Sequence, residues 1–233
     1  MSDSLKQKAA EIALEFVSPG MKLGLGTGST AAFFVTQLGD KVRQGLNVRC
    51  VATSAATEQL ARSCGIEIED LNDLISLDLT VDGTDEIDPS FRLIKGGGGA
   101  LLREKIVACA SKRMVVIADR TKKVDMLGAF ALPIELVPFA YHSTLERLRG
   151  ELMRAGHDAP LVVRKKPDGE IFRTDNGNLI VDAGLGRIPD PEGLEATLNS
   201  VPGIVECGLF LGIATDALIA SDNGVERLTK QTR

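Results

Sequence analysis

Short apolar runs alternate with amphipathic segments from Met21 to about Asp119, and polar or glycine-rich turns separate them. The runs MKLGLG, NVRCVA, LTVDG and MVVIAD have the length and continuity of buried strands. Between them, TAAFFVTQLGD, AATEQLARSCG and ALLREKIVACASK carry apolar residues at helical spacing, and each begins just after a small or hydroxyl residue suited to capping. Strand and helix in alternation predict an α/β domain with an open, mostly parallel, Rossmann-like sheet. Ligands of such sheets bind beyond the carboxyl ends of the strands. Three polar loops, Gly24 to Thr30, Asp82 to Asp88 and Lys95 to Glu104, follow predicted strands and are therefore expected along one edge of the sheet.

The pattern changes after about Leu132. PIELVP reads as a strand, STLERLRGELMRAG as a helix, PLVVRKK and IFRTDNGNLIVDA as strands, PEGLEATLNSV as a helix and GIVECGLF as a strand. That is the element order of a split βαβ, ferredoxin-like α+β domain. The expected organisation is a Rossmann-like catalytic domain from 1–131 and 205–233, with the last thirty residues returning to the first sheet, and a smaller α+β domain at 132–204. No internal repeat or low-complexity segment is present.

At 233 residues and 44% hydrophobic content, the chain is long enough to bury a substantial core. Its 27 basic and 32 acidic residues leave a net charge of -5, without the basic surface of a nucleic-acid-binding protein, so cationic contact with an anion must be local. Cys50, Cys64, Cys109 and Cys207 form no CxxC pair, and His142 and His157 stand apart from them, which argues against zinc. Reduced core thiols and a cytoplasmic location are expected. The opening MSDSLKQKAAEIALEF mixes charged and apolar residues at helical spacing and lacks the apolar stretch of a signal peptide. No segment approaches the roughly 20 apolar residues of a membrane span.

GLGTGST (24–30) follows a strand and opens a helix, so its amides and the helix N-terminus offer a cradle for a phosphate or carboxylate. The GxGxG spacing, and Thr53 and Ser54 where a ribose-binding acid would stand, disfavour a dinucleotide. No GK[ST] follows. The plainer alternative is a tight turn with Ser29 or Thr30 as N-cap. TSAAT (53–57) is expected to cap the next helix rather than to reach the ligand.

VDGTDEID places Asp82, Asp85, Glu86 and Asp88 within seven residues at a strand's end, where mutual repulsion could raise at least one pKa and suit it to proton transfer. A solvated acidic turn and a magnesium site are the alternatives, and the lack of nearby histidines or a second carboxylate cluster disfavours the metal. In LIKGGGGALLREK four consecutive glycines cannot pack side chains, which implies close approach to something, a ligand being expected. Lys95 before the run and Lys122 past MVVIAD supply local cations. Taken alone, Glu104 between Arg103 and Lys105 reads as an ordinary solvated helix face.

Taken in order, GLGTGST, TSAAT, DGTDEID, KGGGGALLREK, ADRTKKVDMLG and TDNGN closely resemble the signatures of the type A ribose-5-phosphate isomerase family, from about Lys22 to Gly208–Phe210. The resemblance implies interconversion of ribose 5-phosphate and ribulose 5-phosphate in the non-oxidative pentose phosphate pathway. It implies no metal or organic cofactor, and a homodimer or homotetramer. It makes Glu104 the proton acceptor. Thr27, Gly28, Ser29 and Thr30, then Asp82, Gly83, Thr84 and Asp85, then Lys95, Gly96, Gly97 and Gly98, and finally Lys122 correspond to substrate-binding positions. Thr84 departs from the family's common DGADE, and nothing is carried over from the looser tail GLFLGIATDALIAS. In the mechanism these roles suggest, Lys95 and glycine-loop amides stabilise the oxyanion, Asp82 and Asp85 move protons among sugar oxygens, and Ser29, Thr30 and Lys122 hold the phosphate. The rival readings are a non-catalytic sugar-phosphate sensor, which would need an attached DNA-binding element, and a coenzyme A transferase-like enzyme, which would form a thioester.

Overall fold

The computed structural model describes residues 3–231; Met1, Ser2, Thr232 and Arg233, the two ends of the expected first domain, lie outside the described residues. The chain begins with α1 (Asp3–Ala13), β1 (Lys22–Leu25), α2 (Ser29–Arg43), β2 (Arg49–Ala52), α3 (Ala55–Ser63), α4 (Leu71–Leu74) and β3 (Leu79–Asp82). Two very short strands follow, β4 (Glu86–Ile87) and β5 (Leu93–Ile94), then α5 (Leu101–Cys109) and β6 (Met114–Asp119). The remainder comprises β7 (Leu132–Leu136), α6 (Tyr141–Arg154), β8 (Leu161–Val163), β9 (Leu179–Ala183), α7 (Pro191–Asn199), β10 (Ile204–Cys207), β11 (Leu209–Phe210), β12 (Asp216–Ser221) and β13 (Gly224–Thr229).

Backbone proximity divides the chain into two compact units. The first holds the described residues up to Thr84, Arg103–Lys123 and the described residues from Gly212; the second holds Asp85–Leu102 and Val124–Leu211. A six-stranded sheet in the order β13-β12-β6-β3-β1-β2 forms the first unit. Every pairing in it is parallel except that of β12 with β13. The apolar runs of β3 and β6 are buried at every position, as strands covered on both faces require. On α2, Ala31, Phe34, Val35 and Leu38 recur at helical spacing and are buried in a core with Leu23, Leu25, Val81, Val115 and Ile117. Burying Phe34 completely is worth about 1.5–3 kcal/mol.

The second unit contains an antiparallel sheet in the order β10-β7-β9-β8, the arrangement of a split βαβ domain. Leu148 and Leu152 of α6 and Leu194 and Leu198 of α7 share its core with Leu132 and Ile134. A separate three-stranded sheet in the order β11-β5-β4 belongs to the same unit. For this reason the unit takes in 85–102, 124–131 and 205–211 as well as the 132–204 segment delimited by element order.

Four expectations need correction. The loop at Lys95 follows β5 of the small antiparallel sheet, not a strand of the parallel sheet, because two-residue strands carry too little periodicity to reveal a separate pairing. IFRTDNGNLIVDA is strand only from Leu179; Thr174 to Asn178 close a tight turn, with Gly177 N donating to Thr174 O at 2.9 Å and Thr174 N to Asn178 O at 3.0 Å. Helix α2 starts at Ser29 with Gly28 as its cap residue, so neither Ser29 nor Thr30 is the N-cap. Finally, Cys50 and Cys207 are core thiols but Cys64 is half-buried and Cys109 exposed. Burial pushes the Cys50 thiol up to about 12.

Candidate active site

The strand order reverses at β1, whose chain successor β2 lies on one side and β3 on the other. The carboxyl ends of β1 and β3 therefore open at a switch point, and the loops Gly26–Thr30 and Asp82–Thr84 stand there. Gly26 N donates to Val81 O at 2.9 Å. Asp82 is fully buried, and its Oδ1 accepts from Thr27 N at 3.1 Å and Gly83 N at 2.7 Å. One carboxylate oxygen thus ties the two loops together. A Cβ on Gly26 would lie 2.2 Å from that oxygen and 2.6 Å from Asp82 Cα, so this position admits only glycine.

The TSAAT turn does more than cap. Ser54 Oγ accepts from Thr57 N at the start of α3, as expected. The same turn also encloses Thr27 Oγ1, which lies 2.7 Å from Thr53 Oγ1, 2.8 Å from Ser54 Oγ and 3.1 Å from Thr57 Oγ1. Thr53 and Thr57 donate in turn to Leu25 O and Gly26 O, each at 3.0 Å. With its amide on Asp82 and its hydroxyl in this cluster, Thr27 is a rigid root for the loop. Beyond it, Gly28 and Ser29 are exposed and Thr30 half-buried at the N-terminus of α2, where the first amides have no intrahelical partner and the helix dipole is positive.

Glu104 lies in the first turn of α5 and is only 4% exposed, which corrects the solvated-face reading. The phase of the helix explains it: Leu101, Glu104, Lys105 and Ala108, at i, i+3, i+4 and i+7, form the buried stripe, while Ile106 is 50% exposed. The carboxylate therefore sits where burial favours its neutral form and the helix N-terminus its ionised form. Lys122 is half-buried in the turn Arg120–Lys122, which follows the carboxyl end of β6 and is capped by Asp119 Oδ1 accepting from Thr121 N at 2.7 Å.

In the second unit, Asp85 and the glycine run form one structure. Asp85 N donates to Ile94 O at 2.9 Å, and Asp85 Oδ2 accepts from Gly97 N at 2.7 Å. A Cβ on Gly97 would come within 2.7 Å of Asp85 Oδ1. The glycine is needed for contact with a carboxylate of the protein itself, a reason that the sequence reading assigned to a ligand. Gly98 is exposed. The Gly96 and Gly97 carbonyls both accept from Arg164 Nη1, at 2.8 and 3.1 Å. Lys95 is buried; its amide donates to Gly208 O at 2.9 Å and its Nζ stands 5.5 Å from the Phe210 ring centre.

Two of the four clustered carboxylates are structural. Glu86 accepts from Gly128 N and Phe130 N at 2.7 and 2.5 Å, and Asp88 accepts from Ser90 N and Arg92 N and pairs with the Arg92 guanidinium at 2.6 Å. Sequence reasoning missed Arg164 and the segment Gly208–Phe210. Arg164 opens the basic run Arg164–Lys165–Lys166 directly after the apolar PLVV, which gives no local sign of its partners. Among the described residues, Glu195, Glu206 and Cys207 bring three potential metal-ligating atoms within 4.8 Å; they lie on α7 and β10 and include none of the loop residues.

An open parallel sheet with helix amides, hydroxyls and a buried carboxylate gathered at its switch point has the form of an α/β enzyme acting on a small anionic molecule. Known proteins narrow the class. Residues 49–224 match the family model of ribose 5-phosphate isomerase A (phosphoriboisomerase A). The chain is 56% identical over 223 residues to ribose-5-phosphate isomerase A of Nitrobacter hamburgensis, covering 96% of each protein. Ribose 5-phosphate isomerase from Plasmodium falciparum superimposes with a TM-score of 0.94 at 38% identity, over 99% of this chain and 100% of the other. A D-ribose-5-phosphate isomerase in complex with phospho-erythronic acid superimposes with a TM-score of 0.92 at 37% identity, over 98% and 100%. The chain belongs to the ribose-5-phosphate isomerase A family, and its activity is that of an isomerase in the pentose phosphate pathway.

Proposed function

We propose that the chain interconverts D-ribose 5-phosphate and D-ribulose 5-phosphate through an enediolate, with Glu104 as the base. In the aldose-to-ketose direction Glu104 takes the proton from C2 and returns it to C1, while a second proton moves from the C2 hydroxyl to the C1 oxygen. The observation that carries this reading is the burial of Glu104 on the inner stripe of α5, in its first turn, where an ionisable carboxylate is held out of bulk water.

Lys95 and amides of the glycine loop stabilise the oxyanion of the enediolate, while the Gly97 amide holds the Asp85 carboxylate. Asp82 and Asp85 move protons among the sugar oxygens and assist ring opening, with Gly83 and Thr84 lining the sugar. The phosphate rests on the loop rooted at Thr27, against Gly28, Ser29 and Thr30, with Lys122 as its counter-charge. It is remote from the reacting carbons, so its binding energy orients them. One solved relative is in complex with phospho-erythronic acid, which likewise carries a phosphate. No metal or organic cofactor takes part, the active form is a homodimer or homotetramer, and the enzyme works in the cytoplasm without nucleic-acid or membrane partners. The larger unit, with its parallel sheet, supplies the base and the phosphate loop.

Ketose formation from ribose 5-phosphate in the presence of a chelator tests this. The wild type forms ketose, and Glu104→Gln, which keeps the size and removes the base, lowers kcat by about 10²–10⁴-fold. Near wild-type turnover in that variant would remove Glu104 from the role, and activity only after metal is restored would remove the metal-free claim.

A further inference from the structure

We infer that Arg164 is a positioning residue for this reaction, one that aims the amides of Gly97 and Gly98 by holding the carbonyls on the other side of their peptide planes. This rests on the reading of Asp85 and the glycine loop proposed above. Arg164 is itself fixed from several directions. Its N–H donates to Ile180 O at 2.8 Å and its carbonyl accepts from Phe172 N at 2.9 Å. Its Nε donates to Asp182 Oδ2 at 2.9 Å while its Nη2 grips Asp182 Oδ1, a two-pronged pair on neighbouring chain segments. The Phe172 ring centre lies 6.0 Å from the guanidinium carbon, and the ring covers Gly99, where a Cβ would stand 2.5 Å from Phe172 Cζ.

Once the carboxylate has taken Nε and Nη2, the planar guanidinium leaves Nη1 pointing in one direction, and there it meets both Gly96 O and Gly97 O. No described peptide bond is cis. Across a trans peptide the N–H points opposite to the C=O. Holding Gly96 O toward Arg164 therefore turns Gly97 N–H to the far side, where Asp85 Oδ2 accepts it at 2.7 Å. Holding Gly97 O turns Gly98 N–H to its own far side, at an exposed position. One guanidinium thus sets two donors: the first locates the Asp85 carboxylate, and the second is presented to the enediolate oxygen. A flexible run of four glycines could not hold these directions alone.

The test is a double-mutant cycle of Arg164→Gln and Asp85→Asn, read as kcat and KM on ribose 5-phosphate. Arg164→Gln should lower kcat by about tenfold to hundredfold with KM within about threefold, as expected for misdirected oxyanion donors. In the Asp85→Asn background the same change should cost several-fold less than in the wild type, the remaining loss being that of the Gly98 donor, which does not depend on Asp85. If Asp85→Asn is harmless, the proposed role of Asp85 and the positioning role both fail. If it is damaging but Arg164→Gln is harmless, or fully additive with it, the reading of the site stands and the positioning role is overturned. Arg164→Lys keeps the charge but not the fork, and should show a smaller loss in the same direction; it carries the cycle if the Gln variant does not fold. Spectra of protein labelled with [15N]glycine give a readout independent of turnover: the Gly97 and Gly98 signals should move and that of Gly28 should not. Unmoved Gly97 and Gly98 signals, or movement of all glycines alike, would also overturn the role.

Discussion

Asp82 and Glu86 stand four residues apart, both buried, and the amides that reach them give them different work. Glu86 binds the backbone of Gly128 and Phe130, 42 and 44 residues away in sequence, and pins that loop. Asp82 binds the amides of Thr27 and Gly83 through one oxygen, at the open end of the parallel sheet. The cluster of carboxylates was legible in the sequence; their division of labour was not, because it depends on partners distant in the chain. Gly26 is equally decisive at this scale. Gly26→Ala should destabilise the protein by about 1–3 kcal/mol, the usual cost of forcing extra volume into a packed site, since the new methyl meets backbone as well as the carboxylate. Urea denaturation measures it, and a midpoint equal to wild type would refute the close approach.

At the scale of elements, long periodic segments were readable and short ones were not. The strand-helix alternation through β6 and the βαββαβ order both emerge from apolar spacing, whereas β4, β5 and β11 have two residues each and no period to detect. Glu104 lies between these cases. Its helix was evident, but its phase depended on which of Leu101, Ile106 and Ala108 faces inward, and only packing decides that. The start of α3 shows how a cap and a site share one residue. Ser54→Ala removes the acceptor for Thr57 N, worth about 0.5–2 kcal/mol, and one of the hydroxyls around Thr27. The expected result is a lowered thermal midpoint together with a raised KM and a nearly unchanged kcat, because the loosened loop is the one proposed to hold the phosphate. A loss confined to kcat would contradict that assignment.

Across the whole molecule, neither unit is a continuous stretch of sequence: the chain passes between them at residues 84/85, 102/103, 123/124 and 211/212. A change in the pattern of elements after about Leu132 is visible in sequence, but such repeated exchanges are not. They make the C-terminal segment structural. β12 is an interior strand with β6 on one side and β13 on the other, while β13 is an edge with several exposed residues. Truncation after Ser221 should therefore give soluble protein with a lowered thermal midpoint. Truncation after Leu211 should give aggregated protein, because it bares the β6 edge. Comparable solubility of the two products, measured after centrifugation, would contradict this ranking.

The position of β12 also has a consequence for how the protein is made. The ribosome releases the MVVIAD strand roughly a hundred residues ahead of the segment that covers it, a delay of about 5–20 s at ordinary elongation rates. For that interval a β-prone, almost wholly apolar hexapeptide has an unsatisfied side, the kind of segment that recruits other nascent chains. The time for which this edge stays uncovered, as well as the stability of the finished fold, therefore bears on the yield of folded chain.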